Sequence, residues 1–305
     1  MSTFRNFFLL ALAAAQTLAA DSYLFAYFKD NGQTGVFYAL SKDGLQWHNV
    51  HNGDAMVKPE KPGELMRDPH ITRGPDGEYH MVWTWDWKKT SMGHAHSKDL
   101  VRWSEHQEIP MFAGTPGVKN IWAPELYWDK AQKHWLIIWS STIEGRFPET
   151  VGQISNGNNH RIYSMTTADF KTFSEPKIFF DPGFPVIDGT IVQVGSKYRL
   201  VFKDERDKPV KKFIQYATGP SLEGPWTEIS EPFTEAWAEG PSVLKIDGTY
   251  FVYYDHYRKP QQYRSIATKN WKDWQDTTNL MILPAGARHG AFLKITNDDA
   301  KAIGK

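Results

Sequence analysis

Short runs dense in aromatic and β-branched residues punctuate the chain, and they have the character of strands rather than helices. One set comprises YLFAYF from Tyr23, YHMVWTW from Tyr79, HWLIIWSS from His134, YRLVFKDE from Tyr198 and YFVYYDHY from Tyr250. Each is followed by a second pattern, in which a strand gives way to a Ser or Thr, a short polar turn and an aromatic. It reads FYALSKDGLQW (37–47), GHAHSKDLVRW (93–103) and IYSMTTADFKTF (162–173), with weaker copies IQYATGPSLEGPW (214–226) and RSIATKNWKDW (264–274). A third type of segment precedes four of the aromatic runs: RDPHITRG (67–74), WAPELYWD (122–129), VIDGTIVQV (186–194) and EGPSVLKI (239–246). The first aromatic run lacks such a predecessor, and the missing segment stands at the far end as RHGAFLKI (288–295).

Five turns of the same three segments, spaced roughly 50 to 70 residues apart, match the period of propeller blades. The sequence therefore predicts an all-β, five-bladed β-propeller of about four strands per blade. The C-terminal strand joins the N-terminal blade and closes the ring, which removes long exposed sheet edges. Amphipathic helices are not predicted, and residues 21–305 form one domain. A pair of β-sandwiches would also give regular short strands, but not the fivefold alternation of three segment types.

Residues 1–20, MSTFRNFFLLALAAAQTLAA, carry one basic residue, a short apolar run and then small residues. This is the pattern of a secretory signal peptide, too short to span a bilayer, and it predicts a secreted, extracellular protein without a membrane anchor. Lys plus Arg balance Asp plus Glu at 35 each, against electrostatic binding of nucleic acid. The absence of cysteine removes disulfides, thiolate metal sites and cysteine nucleophiles. A monomer is expected.

The inner strands of a propeller surround its axis. Four of the predicted ones begin with a carboxylate, Asp68, Glu125, Asp188 and Glu239, and the fifth with His289. Acids gathered around one point repel one another, so the arrangement calls for a chemical reason. Glycosidic hydrolysis supplies one: one carboxylic acid protonates the leaving oxygen and a second carboxylate acts on water or on the sugar carbon. A third nearby would raise the acid's pKa. Trp85, Trp87, Trp122, Trp139 and Trp237 lie close in sequence, and an aromatic face complements a sugar ring. Singly, an Asp before Pro is a turn former, and a Trp in a strand is core.

The ordered set RDPHI, WAPEL, VIDGTI, AEGPSV and ARHGAF, with the SKDGLQW-type repeats, resembles glycoside hydrolase family 43 through nearly all of residues 21–305. The resemblance implies an inverting enzyme acting on an oligosaccharide or polysaccharide containing arabinose or xylose. It implies Asp68 as general base, Asp188 as the acid that tunes and orients the donor, and Glu239 as general acid. Glu125, Trp85, Trp122, Arg288 and His289 are expected to contact substrate. His289 is also the expected metal residue, helping to hold a central calcium ion largely through water. The expected activity is that of an exo-acting α-L-arabinofuranosidase, with β-D-xylosidase, β-D-galactofuranosidase and a non-catalytic carbohydrate-binding propeller as alternatives. One departure is visible: Gly189 follows Asp188 where the family commonly has Pro.

Overall fold

The computed structural model describes residues 21–305, and the signal-peptide reading of residues 1–20 lies outside the described residues. Five antiparallel sheets form the blades of a propeller. Blade I takes Arg288–Ile295 as its inner strand, followed outward by Ser22–Phe28, Val36–Ser41 and His48–Asn49. Blade II is Arg67–Arg73, Tyr79–Thr84, Ser91–Ser97 and Gln107–Pro110. Blade III is Trp122–Asp129, His134–Ser141, Arg161–Thr167 and Lys177–Phe180. Blade IV is Val186–Val194, Lys197–Asp204 and Ile214–Gly219, and blade V is Ala238–Ile246, Thr249–His256, Gln262–Thr268 and Gln275–Asp276. The predicted order of segments is the observed order.

The ring closes as the sequence predicts. Ser22–Phe28 pairs on one side with Arg288–Ile295, from Ser22 opposite Ile295 to Phe28 opposite Arg288, and on the other with Val36–Ser41. Successive side chains of a middle strand point to opposite faces, and here both faces are buried. Leu24 and Ala26 pack with Ile71, Met81 and Trp83 of blade II, whereas Phe25 and Tyr27 pack with Leu244, Tyr253 and Tyr263 of blade V. Equivalent wedges join blades II and III, III and IV, and IV and V. Burial on both faces explains why the aromatic runs are continuous rather than alternating.

The repeated turn has one hydrogen-bond scheme. Ser41 Oγ accepts from the Gly44 N–H (2.9 Å), Asp43 Oδ1 from those of Leu45 and Gln46 (2.8 Å each), and Trp47 Nε1 donates to the Gly44 carbonyl (2.9 Å). Ser97 with Asp99, Thr167 with Asp169 and Thr268 with Asn270 repeat it. The fourth residue of each turn has positive φ, as Gly44, Leu100, Phe170 and Trp271. Only Gly44 adopts it without strain.

Two features depart from expectation. Blade IV has three strands: residues 227–233 run beside Ile214–Gly219 and keep only the Thr218–Thr227 bridge and the bonds from the Ser230 and Phe233 N–H groups to the Tyr216 and Ile214 carbonyls, with Pro232, which has no N–H, between those two. The chain also ends in a short helix, Asn297–Ile303, opened by a capping box between Thr296 and Asp299. Ile303 fills the wedge between blades I and II, and Tyr79 Oη donates to Asp299 Oδ2 (2.7 Å).

Candidate active site

The inner strands share an irregularity at their axial start. Pairing skips two residues between Arg67 and His70, Trp122 and Glu125, Ile187 and Thr190, and Glu239 and Ser242. The first skipped residue has positive φ in each case: Asp68, Ala123, Asp188 and Gly240, at 50°, 47°, 55° and 57°. In blade I the single unpaired residue is His289, between Arg288 and Gly290. Such bulges re-aim side chains, here toward the axis. Register corrects the notion that the acids occupy equivalent positions. Asp68 and Asp188 stand at the positive-φ position, Glu239 one residue earlier, and Glu125 two residues later, where blade II has His70 and blade IV Thr190. Gly189 also has a local cause: a Cβ there would lie 2.7 Å from Ile162 Cδ1 and 3.2 Å from Leu200 Cδ1.

The acids still converge. Asp68 Oδ2 accepts from Thr84 Oγ1 (2.8 Å), and Asp68 Oδ1 lies 3.4 Å from His289 Nδ1. Thr84 Oγ1 in turn accepts from the Ala123 N–H (2.8 Å), tying blade II to blade III. Asp188 Oδ2 accepts from the Gly240 N–H (3.0 Å), and the Asp188 N–H donates to Ser140 Oγ (3.1 Å). Glu125 is buried, hydrogen-bonded by Tyr127, with His70 Nε2 3.8 Å away. Tyr127 Oη also accepts from the Ile191 N–H (2.7 Å), so this residue braces blade III against blade IV.

Glu239 lies at the centre of a line of alternating charges. Lys212 meets Glu205 (2.8 Å), Glu205 meets Lys203 (2.8 Å) and Lys203 meets Glu239 (2.9 Å). On its other side Arg288 approaches Glu239 (3.4 Å) and is held by Asp255 (2.6 Å). Lys203 is 2% exposed and stays charged: burial disfavours its ammonium, but Glu205 and Glu239 outweigh it.

These surroundings divide the carboxyls into two kinds. Burial pushes Asp68 up, but hydrogen bonds from His289 and the Arg67 charge prevail and hold it at about 2. Burial and the Glu239 charge push Asp188 up to about 6, and burial pushes Glu125 up to about 7. Glu239 is shifted down, because Lys203 and then Arg288 overcome its burial. Asp188 thus holds its proton more tightly than an ordinary aspartate, whereas Lys203 and Arg288 favour the ionised form of Glu239. His289 is raised to about 9: its burial is outweighed by Asp68 and Asp188, so it is an imidazolium.

Trp85 is corrected. It is 2% exposed and packs in the wedge between blades I and II beside Trp83, where it offers no face to a sugar. Trp87, 42% exposed, meets Trp122 edge to face at 5.5 Å between centroids and forms the aromatic wall of the site. Arg288 lies beside Glu239 and His289 beside Asp68. Lys203, Thr84 and Tyr127 were not anticipated, since each lies outside the inner-strand motif starts that signalled the acids. The RLVFKD stretch did carry one signal, a lysine ending an apolar run.

The donor set fits direct calcium ligation poorly. Calcium takes six to eight oxygens, whereas His289 offers ring nitrogens, one of which, Nδ1, is engaged by Asp68. Among the described residues the one cluster with metal-ligand spacing is Asp129, His134 and Glu223. It lies at the opposite end of the blade III inner strand, and Lys177 already neutralises Glu223 (3.0 Å).

A five-bladed propeller with acids gathered at one axial end defines a class of glycoside hydrolases. The chain belongs to the family related to glycoside hydrolase family 43, whose sequence model, described as a probable glycosyl hydrolase domain, matches residues 19–301. An α-L-arabinofuranosidase of Bifidobacterium longum subsp. longum is 26% identical over 276 residues, covering 77% of this chain and 25% of that protein. The chain thus spans about a quarter of the length of that curated relative. The fold is shared with an α-L-arabinofuranosidase from Lactobacillus brevis (TM-score 0.54, 19% identity, 69% of this chain and 72% of that one). It is also shared with an exo-β-1,3-galactanase from Clostridium thermocellum (TM-score 0.61, 14% identity, 85% of this chain and 59% of that one).

Proposed function

We propose that the protein is a secreted, exo-acting glycosidase that releases α-L-arabinofuranosyl residues from polysaccharide side chains with inversion. The observation that carries this reading is the gathering of Asp68, Asp188 and Glu239 at one axial end, with Asp68 held ionised by His289 and Thr84 and Asp188 holding its proton more tightly than usual. Asp68, fixed by Thr84 and His289, accepts a proton from the water that attacks the anomeric carbon. Glu239 delivers a proton to the leaving oxygen, and the neighbouring Asp188 carboxyl opposes its ionisation. Charge on Glu239 after transfer is stabilised by Lys203 and Arg288, which favours the products of the step. The choice of sugar rests on the 26% identical relative.

The test is hydrolysis of nitrophenyl α-L-arabinofuranoside, β-D-xylopyranoside and β-D-galactofuranoside, with a β-1,3-galactan oligosaccharide added. Wild type, Asp68→Asn and Glu239→Gln are compared, with and without exhaustive chelation. The expected outcome is turnover of the arabinofuranoside, reduced about 10²–10⁴-fold in Asp68→Asn, reduced far less in Glu239→Gln because nitrophenolate departs without a proton, and unchanged by chelation. Turnover of another sugar would reassign the substrate. A folded protein that binds sugar without turnover would be a lectin. Loss on chelation would support a central calcium ion held largely through water beside His289.

A further inference from the structure

We propose that the cavity walled by Trp87 and Trp122 receives an anionic sugar, a uronosyl residue of the substrate. The proposal rests on the glycosidase reading above and deepens it. The cavity has a volume of about 520 Å³ and is lined by Trp87, Lys88, Lys119, Asn120, Trp122 and Asn158. It adjoins the catalytic centre. Arg67, the neighbour of Asp68, lays its guanidinium over the Trp87 ring at 4.1 Å. Trp122 precedes Ala123, whose N–H reaches Thr84 and through it Asp68.

The aromatic wall is rigid although it is open to solvent. Trp87 Nε1 donates to Asn31 Oδ1 (2.8 Å), and Trp122 Nε1 donates to the Trp87 carbonyl (3.1 Å). The two indoles stand at 85° to each other, so they form a corner rather than a stack. An exposed tryptophan fixed in this way presents its face for a sugar to cover.

The lysines set the charge of that sugar. Lys88 and Lys119 are exposed, and neither has an ion-pair partner among the described residues. Their neighbour Lys89, by contrast, is paired with Glu108 (3.0 Å). Asp86, the nearest acid in sequence, accepts from the backbone N–H groups of Lys88 (2.8 Å) and Lys89 (3.2 Å) through one oxygen. No carboxylate lines the cavity. The whole chain has no net charge, so two free cations beside an aromatic corner are a local feature. A neutral pentose would leave both without a partner, whereas the carboxylate of a uronosyl residue would meet them.

The test is a fluorescence titration of the full protein with an oligosaccharide bearing one glucuronosyl residue and with the same oligosaccharide after reduction of its carboxyl. The uronate form is expected to bind about tenfold more tightly at low ionic strength, with the gap closing as salt is raised. A Lys88→Met, Lys119→Met double variant should lose the gap and keep the affinity for the reduced form, while Trp87→Ala should weaken both. Equal affinities in wild type, no binding of either ligand, or a gap that survives in the double variant would overturn the proposal. Turnover of a nitrophenyl glycoside, which brings no second sugar, reports separately on the glycosidase reading. Turnover without a gap sinks the subsite alone, and a gap without turnover sinks the glycosidase reading alone.

Discussion

Lys203 sits in the interior between two carboxylates, and its effect on catalysis has a definite sign. It favours the charged form of Glu239, as do Arg288 and His289, while Asp188 opposes it. Removing Lys203 raises the proton affinity of the Asp188–Glu239 pair, so the pair holds its proton to higher pH. Lys203→Met is expected to move the basic limb of the kcat/KM profile upward and to leave the acidic limb, set by Asp68, in place. Lys203→Arg should restore the limb, whereas a purely structural role would lower activity without moving it. The tryptophans separate in the same manner. Trp85→Ala opens a cavity in the core and should cost about 3–5 kcal/mol of stability. Trp87→Ala should leave Tm nearly unchanged and raise KM for oligosaccharides. Alternation along Trp83, Trp85 and Trp87 gave no warning, because the strand ends at Thr84 and the chain beyond it no longer keeps the strand's facing. Trp85 is instead clamped by the Leu65 N–H, which donates to its carbonyl (2.9 Å).

At the scale of the element, the bulge at the start of each inner strand is what turns a sheet into an active site. A regular strand would send Asp68 and its neighbours alternately to the two faces of a blade. Gly240 shows how tightly the bulges meet. A Cβ there would stand 2.4 Å from His289 Cγ, and φ is +57°. Gly240→Ala should displace His289, weaken its contact with Asp68 and lower both Tm and kcat/KM. Gly248→Ala is the control, because φ is similar at +79° but nothing lies within 4 Å. An equal effect in both would mean that backbone strain, not the His289 contact, is responsible. The acids were legible because turn formers accompany them in every segment. Their register was not, since the one or two skipped residues of each inner strand leave no mark in the hydrophobic pattern. The missing outer strand of blade IV and the final helix were likewise hidden. One depends on the backbone donor lost at Pro232, the other on a cap and a single buried Ile303.

For the molecule as a whole, five wedges of apolar side chains make each blade the support of its neighbours, and closure through Arg288–Ile295 completes the ring. The same strand delivers Arg288 and His289 to the axis, so closing the fold and completing the site are one event. That coupling was legible, because the fifth inner segment stands at the wrong end of the chain for a simple linear array. The pH behaviour also belongs to the assembled ring. Asp68 is ionised down to about pH 2 and Asp188 keeps its proton up to about pH 6, which points to a mildly acidic working range. Asp188 and Glu125 bind protons more tightly folded than unfolded, so their contribution favours folding at low pH and declines as pH rises through about 6 and 7.

The central claim is that Glu239 protonates the leaving oxygen. The most direct test compares wild type and Glu239→Gln on two glycosides of the sugar turned over best, one with a nitrophenyl leaving group and one with an unactivated sugar. Nitrophenolate departs without a proton and an alkoxide does not. The account predicts a loss in kcat/KM of about 10²–10⁴ on the unactivated substrate and a much smaller loss on the nitrophenyl glycoside. Equal losses on both, or undiminished turnover of the unactivated substrate, would contradict it.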